Sequence, residues 1–238
     1  MSEPVKFWAV IPAAGSSRRM GPATLPKQYL ELAGRCVLAW SLEPFLAHPQ
    51  CSGVVVVLAA DDAQWPALEV AKDSRIATAA GGAERSQSVQ RGLEALGDRA
   101  AADDWVLVHD AARPCLDRSD LDELLQQLGS DPVGGLLAAP VIDTLKRADT
   151  ERRVLNTVER ENLWRALTPQ MFRYGLLKRA LTEAQRNTAA VTDEAQAVEL
   201  LGLNPKLVAG SADNIKITVP QDLARAQQIL ASRSRQYR

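Results

Sequence analysis

The sequence predicts an α/β fold: a largely parallel sheet covered by helices. Three observations carry that expectation. Short apolar runs alternate with stretches of helical spacing, the order expected when each strand is followed by a helix that crosses back over the sheet. The length, 238 residues, suits one such domain. No repeat, low-complexity tract or linker rich in Pro, Gly or Ser divides the chain.

The elements follow in order. Residues 7–13 form a short apolar run that reads as a buried strand. Further strands are expected at 54–59, 76–78, 105–109 and 136–140. Helices are expected between them, near 37–46, 63–72, 85–96 and 121–128. Leu121, Leu124, Leu125 and Leu128 fall at i, i+3, i+4 and i+7, one apolar face suited to core packing. Later segments suggest helices near 174–186 and 193–201, a strand at 215–219 and a final helix from Gln221. Pro220 suits the first position of that last helix. The basic, polar tail 232–238 is expected to fray.

Residues 143–160 break the alternation. They hold two short β-prone pieces, 144–146 and 154–158, around a charged turn. The segment lacks the apolar content for a core of its own. It reads as a protruding hairpin that needs a partner surface, or as an ordinary surface loop.

Composition narrows the function. Lys and Arg total 28 against 29 Asp and Glu, a net charge of −1. That balance argues against a general nucleic-acid or membrane-surface binder. Apolar runs such as 54–60 are too short to span a bilayer. Met1-Ser2-Glu3-Pro4 lacks the basic start of a signal peptide. Cys36, Cys51 and Cys115 show no metal or redox spacing and fit reduced thiols in a cytoplasm. His48 and His109 have no histidine partners at metal-ligand spacing, so no zinc site is expected.

The motifs point to phosphate chemistry. Pro12-Ala13-Ala14-Gly15-Ser16-Ser17-Arg18-Arg19-Met20 follows the first strand, and Pro26-Lys27-Gln28-Tyr29 follows soon after. Small residues let backbone N–H groups approach an anion, while arginine and lysine supply charge. Neither G-x-x-x-x-G-K-[ST] nor G-x-G-x-x-G occurs, which excludes those two nucleotide loops. The run resembles the A-A-G-x-G-x-R-M…P-K loop of nucleotidyltransferases, with Ser17 in place of the second glycine.

Three further motifs stand at element ends. Val108-His109-Asp110-Ala111-Ala112-Arg113-Pro114 follows a strand, where open α/β sheets place their ligands. Asp110 there can hold Mg²⁺ or cap a helix. Gly81-Gly82-Ala83-Glu84-Arg85-Ser86-Gln87-Ser88 lets backbone approach a flat base, though Glu84 or Ser86 also suit a helix start. Ala212-Asp213-Asn214-Ile215-Lys216-Ile217-Thr218 puts Lys216 on the face opposite its isoleucine neighbours, as a functional or simply solvated lysine.

Together with D-T-L-K-R, L-T-P-Q and T-D-E-A, these motifs make residues 7–230 similar to the 2-C-methyl-D-erythritol 4-phosphate cytidylyltransferase family of the non-mevalonate isoprenoid pathway. The resemblance implies a Rossmann-like, twisted, mixed sheet flanked by helices in a single domain, 1–238. It also implies a homodimer joined by a protruding β-arm at about 141–160. CTP and a polyol phosphate would be the substrates, with Mg²⁺ or another divalent cation. Arg19 and Lys27 would stabilise the transition state, and Arg160 and Lys216 would position the acceptor phosphate. Pro12, Ala13, Ala14, Gly15, Gly82, Ala83 and Ser88 would line the cytidine pocket. Asp110, Arg113, Thr144 and Thr168 would surround acceptor and metal, with Asp110 the metal residue. Many relatives have Asp where this chain has Ala83.

The implied chemistry suits the residues. A phosphomonoester is largely dianionic at neutral pH, so its oxygen can attack the α-phosphorus of CTP without a general base. An anion must approach a polyanion, and the protein must supply cations and alignment. A cytidylyltransferase for another polyol phosphate, such as ribitol 5-phosphate, is the nearest alternative. A silent nucleotide-binding module is another, against which the presence of Arg19, Lys27 and Asp110 argues.

Overall fold

The structure is a computed structural model that describes residues 5–15 and 25–236. Arg19 and the rest of the loop 16–24 lie outside the described residues. Five strands begin the framework: β1 (Phe7–Pro12), the short β2 (Glu31–Leu32) and β3 (Arg35–Cys36), β4 (Cys51–Leu58) and β5 (Ile76–Ala80). They are followed by β6 (Trp105–Val108), β7 (Gly134–Pro140), β8 (Leu145–Ala148), β9 (Val154–Val158), β10 (Trp164–Arg173) and β11 (Lys206–Ala209). The helices are α1 (Val37–Leu46), α2 (Arg85–Leu96), α3 (Arg118–Leu128), α4 (Tyr174–Arg186), α5 (Glu194–Glu199) and α6 (Pro220–Gln236).

The central sheet has seven strands in the order β11-β7-β10-β6-β1-β4-β5. β10 runs antiparallel to both its neighbours, and the other pairings in this sheet are parallel. Strand alternation sorts the core into two layers. Phe7, Ala9 and Ile11 of β1 and Val54 and Val56 of β4 pack with Leu38 and Leu42 of α1 and Leu121 and Leu124 of α3. Val10, Val55 and Val57 face the other way, onto Val89 and Leu93 of α2 and Leu177 of α4. Both faces are covered, which is why β1 and β4 are apolar nearly throughout. The leucine stripe of α3 is buried along its whole length, as its spacing predicts.

Two glycines bring the elements of the site together. A Cβ on Gly92 would lie 2.5 Å from Val10 Cγ1, so glycine seats α2 close on β1. A Cβ on Gly81 would lie 2.3 Å from Ala14 Cβ, so glycine seats the loop after β5 against the loop after β1. As a result the start of α2 stands over the carboxyl end of β1.

The structure corrects several expectations. Residues 63–72 form two 3-10 turns, Trp65–Ala67 and Glu69–Lys72, rather than a helix. The Asp62 carboxylate accepts from the N–H groups of Gln64 and Trp65, and extended Leu68 separates the two turns. Residues 215–219 are not a strand. Ile217 is buried and Lys216 points away, as alternation predicts, but Ile217 donates to Ala112 O in a loop contact. β10 is absent from the sequence reading because it contains Pro169, which ordinarily excludes a central strand. The proline sits where the β7–β10 register breaks, between Ala166 and Gln170. β11, four residues at the sheet edge, is equally unmarked.

The segment 143–160 is a hairpin. β8 and β9 pair antiparallel in a separate two-stranded sheet. Ile142, Val154 and Leu155 are 76%, 62% and 62% exposed, an apolar surface that the chain itself leaves uncovered.

Candidate active site

A cavity of about 620 Å³ opens at the carboxyl ends of β1, β5 and β6. One wall is backbone and small side chains: Pro12, Ala13, Ala14 and Gly15 after β1, and Gly82, Ala83 and Ser88 at the start of α2. These are the seven residues expected to hold the nucleotide. The lining also carries charge: Lys27, Glu84, Arg85, Asp110 and Lys216.

The small-residue wall is held by local hydrogen bonds. Ala13 N donates to Val57 O at 2.7 Å and Gly81 N to Leu58 O at 2.7 Å, which continues the parallel pairing past the strand ends. Buried Gln28 donates to Ala13 O at 2.7 Å. The Ser88 hydroxyl accepts from Gly82 N and donates to Glu84 O, both at 3.1 Å. Ala83 N donates to the Gln87 side chain at 3.0 Å, so the loop 81–84 is shaped by the first turn of α2. Ala83 meets the cavity without a carboxylate, and its backbone remains in place.

The charged wall converges on Asp110. Its Oδ1 accepts from Arg85 Nε at 2.9 Å. Its Oδ2 lies 2.9 Å from Lys216 Nζ and 3.3 Å from Arg113 Nε. Burial alone would raise the Asp110 carboxyl pKa. The charges of Arg85, Lys216 and Arg113 outweigh burial and hold it well below the usual carboxylate range. Lys27 Nζ donates to Ile217 O at 2.8 Å, beside Lys216. Two lysines from distant parts of the sequence are thus brought to one wall.

Other expected residues stand elsewhere. Arg113 is buried beneath the wall and donates to Asn214 O at 2.7 Å. Thr168 is buried in the break of β10, where its hydroxyl accepts from Asp110 N at 3.1 Å and meets His109 Nδ1 at 3.0 Å. Neither lines the cavity. Thr144 and Arg160 lie on the exposed hairpin, where Arg160 donates to Ile142 O, and they too are absent from the lining.

Comparisons with known proteins give the family. A family model for 2-C-methyl-D-erythritol 4-phosphate cytidylyltransferases matches residues 7–232. The chain belongs to the 2-C-methyl-D-erythritol 4-phosphate cytidylyltransferase family. A cytidylyltransferase of that name from Pseudomonas putida KT2440 is 60% identical over 218 residues, which is 91% of this chain and 92% of the relative. One from Pseudomonas aeruginosa PAO1 is 58% identical over 222 residues, with 93% and 94% covered. The crystal structure of the Francisella tularensis cytidylyltransferase matches with a TM-score of 0.81 at 35% identity, covering 94% of this chain and 99% of that one. This cytidylyltransferase is therefore a nucleotidyltransferase by class. Among its described residues no helix is long and apolar enough to cross a membrane.

Two residues of the site had no assigned role in the sequence reading. Arg85 reaches across from the start of α2 to Asp110, and its two terminal nitrogens bond Glu194 at 2.6 and 3.0 Å. Glu194 is 1% exposed. In sequence, Arg85 stands in the motif 81–88 and Glu194 in T-D-E-A, and neither motif names the other residue.

Proposed function

We propose that the chain joins CTP to 2-C-methyl-D-erythritol 4-phosphate, giving 4-diphosphocytidyl-2-C-methyl-D-erythritol and pyrophosphate. The observation that carries this reading is the lining of the cavity, small residues and cations together. Residues 12–15, Gly82 and Ala83 offer backbone groups and small side chains suited to a flat pyrimidine, and Lys27 and Lys216 in the same cavity suit phosphate. An oxygen of the acceptor phosphate bonds to the α-phosphorus. The bond from that phosphorus to the bridging oxygen breaks, and pyrophosphate leaves with the electron pair. The attacking dianion needs no base, so the work of the protein is alignment and charge. Lys27 and Arg19 oppose the charge that grows on the triphosphate, and Lys216 draws in the acceptor phosphate.

The residues present do not fit a divalent cation held directly by Asp110. Both of its oxygens already face cations. Among the described residues no three His, Cys, Asp or Glu side chains are grouped to hold a metal. Mg²⁺ belongs instead with the triphosphate oxygens, as part of the substrate.

The exposed hairpin supports a homodimer. Its apolar side chains leave a surface for a second copy to cover, and Thr144 and Arg160 lie beside that surface rather than in their own cavity. In this reading each arm completes the acceptor side of the partner's site. The test of function is pyrophosphate release from CTP and Mg²⁺ with a panel of polyol phosphates. Release with the methylerythritol phosphate and little with ribitol 5-phosphate is expected. Equal release with both would favour the alternative substrate.

A further inference from the structure

This inference rests on the cytidylyltransferase reading and concerns how its acceptor-side lysine is placed. We propose that Arg85, anchored by Glu194, is a positioning residue that orients the Asp110 carboxylate and through it Lys216.

Lys216 lies on the segment 214–218, which has no ladder to fix it. Its side chain is long and has many rotamers. The contact that places its ammonium is Asp110 Oδ2, at 2.9 Å. Asp110 must itself be held against rotation. Arg85 Nε takes Oδ1 at 2.9 Å, which leaves Oδ2 turned toward Lys216. The Arg113 contact to Oδ2 is longer, at 3.3 Å, and that guanidinium is also tied to Asn214 O.

Arg85 is fixed in turn. Its bidentate pair with buried Glu194 sets the plane of the guanidinium, a geometry that lysine cannot reproduce. Glu194 begins α5, and buried Gln170 of β10 secures that start. Gln170 accepts from Ala195 N at 2.8 Å and donates to Asp193 at 3.1 Å. A rigid line therefore runs from β10 through α5 and α2 to Asp110 and Lys216. Three cations, Arg85, Arg113 and Lys216, face two carboxylates, Asp110 and Glu194, in this network.

The test uses Arg85→Gln, Arg85→Lys and Glu194→Gln in the full chain, with CTP and the methylerythritol phosphate varied separately. Misplacing Lys216 should lower kcat/KM for the acceptor on the order of 10²-fold, while KM for CTP stays within about twofold. Arg85→Lys should not restore it. In a Lys216→Met background, Arg85→Gln should add almost nothing, because its effect passes through Lys216. Equal losses with and without Lys216, or a loss confined to KM for CTP, would overturn the proposal. Crystals of the ligand-free Arg85→Gln and Glu194→Gln proteins give a readout independent of activity. Lys216 Nζ is expected to leave Asp110 Oδ2, and an unmoved pair would also overturn it. An inactive wild-type enzyme would count against the cytidylyltransferase reading, while the crystals would still decide the positioning role.

Discussion

His109 Nδ1 lies 3.0 Å from Thr168 Oγ1, a contact across 59 residues that joins the loop after β6 to the break in β10. His109 Nε2 meets Arg113 O at 3.1 Å. A carbonyl can only accept, so Nε2 carries the proton and Nδ1 accepts from the threonine hydroxyl. That hydroxyl in turn accepts from Asp110 N. A neutral, wholly buried histidine thus fixes the backbone of the residue on which the charged wall converges.

The first prediction follows from this histidine. Burial lowers the His109 pKa from 6.5 to about 4, with the neighbouring Arg113 charge acting the same way and Asp110 against it. The unfolded chain takes up the proton near 6.5, whereas the folded one resists to about 4. Stability from this group is therefore full above pH 6.5 and falls as the pH drops toward 4, by up to about 3 kcal/mol. Urea midpoints at pH 7 and pH 5 measure the loss, and His109→Gln should flatten it. An equal slope in the variant would assign the pH dependence elsewhere.

Lys27→Ala should reduce turnover far more than stability. The residue sits in a short 3-10 turn at the cavity and fills no core space. Losing a cation aimed at developing phosphate charge should cost on the order of 3 kcal/mol, or about a hundredfold in kcat. Arg19→Ala should behave similarly. Thermal melts beside steady-state rates separate the two effects, and near-normal turnover with saturating CTP would remove either residue from the mechanism.

Asp110→Asn keeps the shape of the side chain and removes the charge that three cations share. Leaving those cations unbalanced in a buried place should lower stability by about 3 kcal/mol or more. Activity should fall as well, yet the Mg²⁺ midpoint at fixed CTP should not move. A midpoint shifted to higher Mg²⁺ would show that Asp110 binds the metal after all.

CTP should be preferred to UTP by roughly 10⁴ in kcat/KM. The exocyclic amine of cytosine donates where uracil accepts, and backbone carbonyls near Ala13 and Gly82 would be left facing an acceptor. Comparable specificity constants would contradict a base pocket built from backbone.

Arg160→Ala chains mixed with Lys27→Ala chains should regain activity that neither has alone. In a symmetric dimer with exchanged arms, a mixed pair carries both lesions at one site and none at the other. Mixed dimers that form, as shown by tagged pull-down, yet remain inactive would place Arg160 at its own chain's cavity.

The sequence by itself determined the parts of this protein whose signal is local. β1, α1, α2 and α4 stand where their patterns place them, because a continuous apolar run marks a strand buried on both faces and an apolar spacing near 3.6 residues marks the buried face of a helix. The small-residue loop 12–15 and Lys27 could be named for the same reason: backbone access to an anion and a nearby cation are written in consecutive residues. Only the tertiary structure decided what depends on segments far apart. β10 carries a proline that argues against a central strand, and it is one because its neighbours hold it on both sides of the register break. Arg85 and Glu194 are 109 residues apart, and neither sequence neighbourhood names the other. Thr168 turned inward to His109 rather than out to the cavity for the same cause. A hydrogen bond or ion pair has no period along the chain. It exists only once packing of both sheet faces has brought its two ends within about 3 Å.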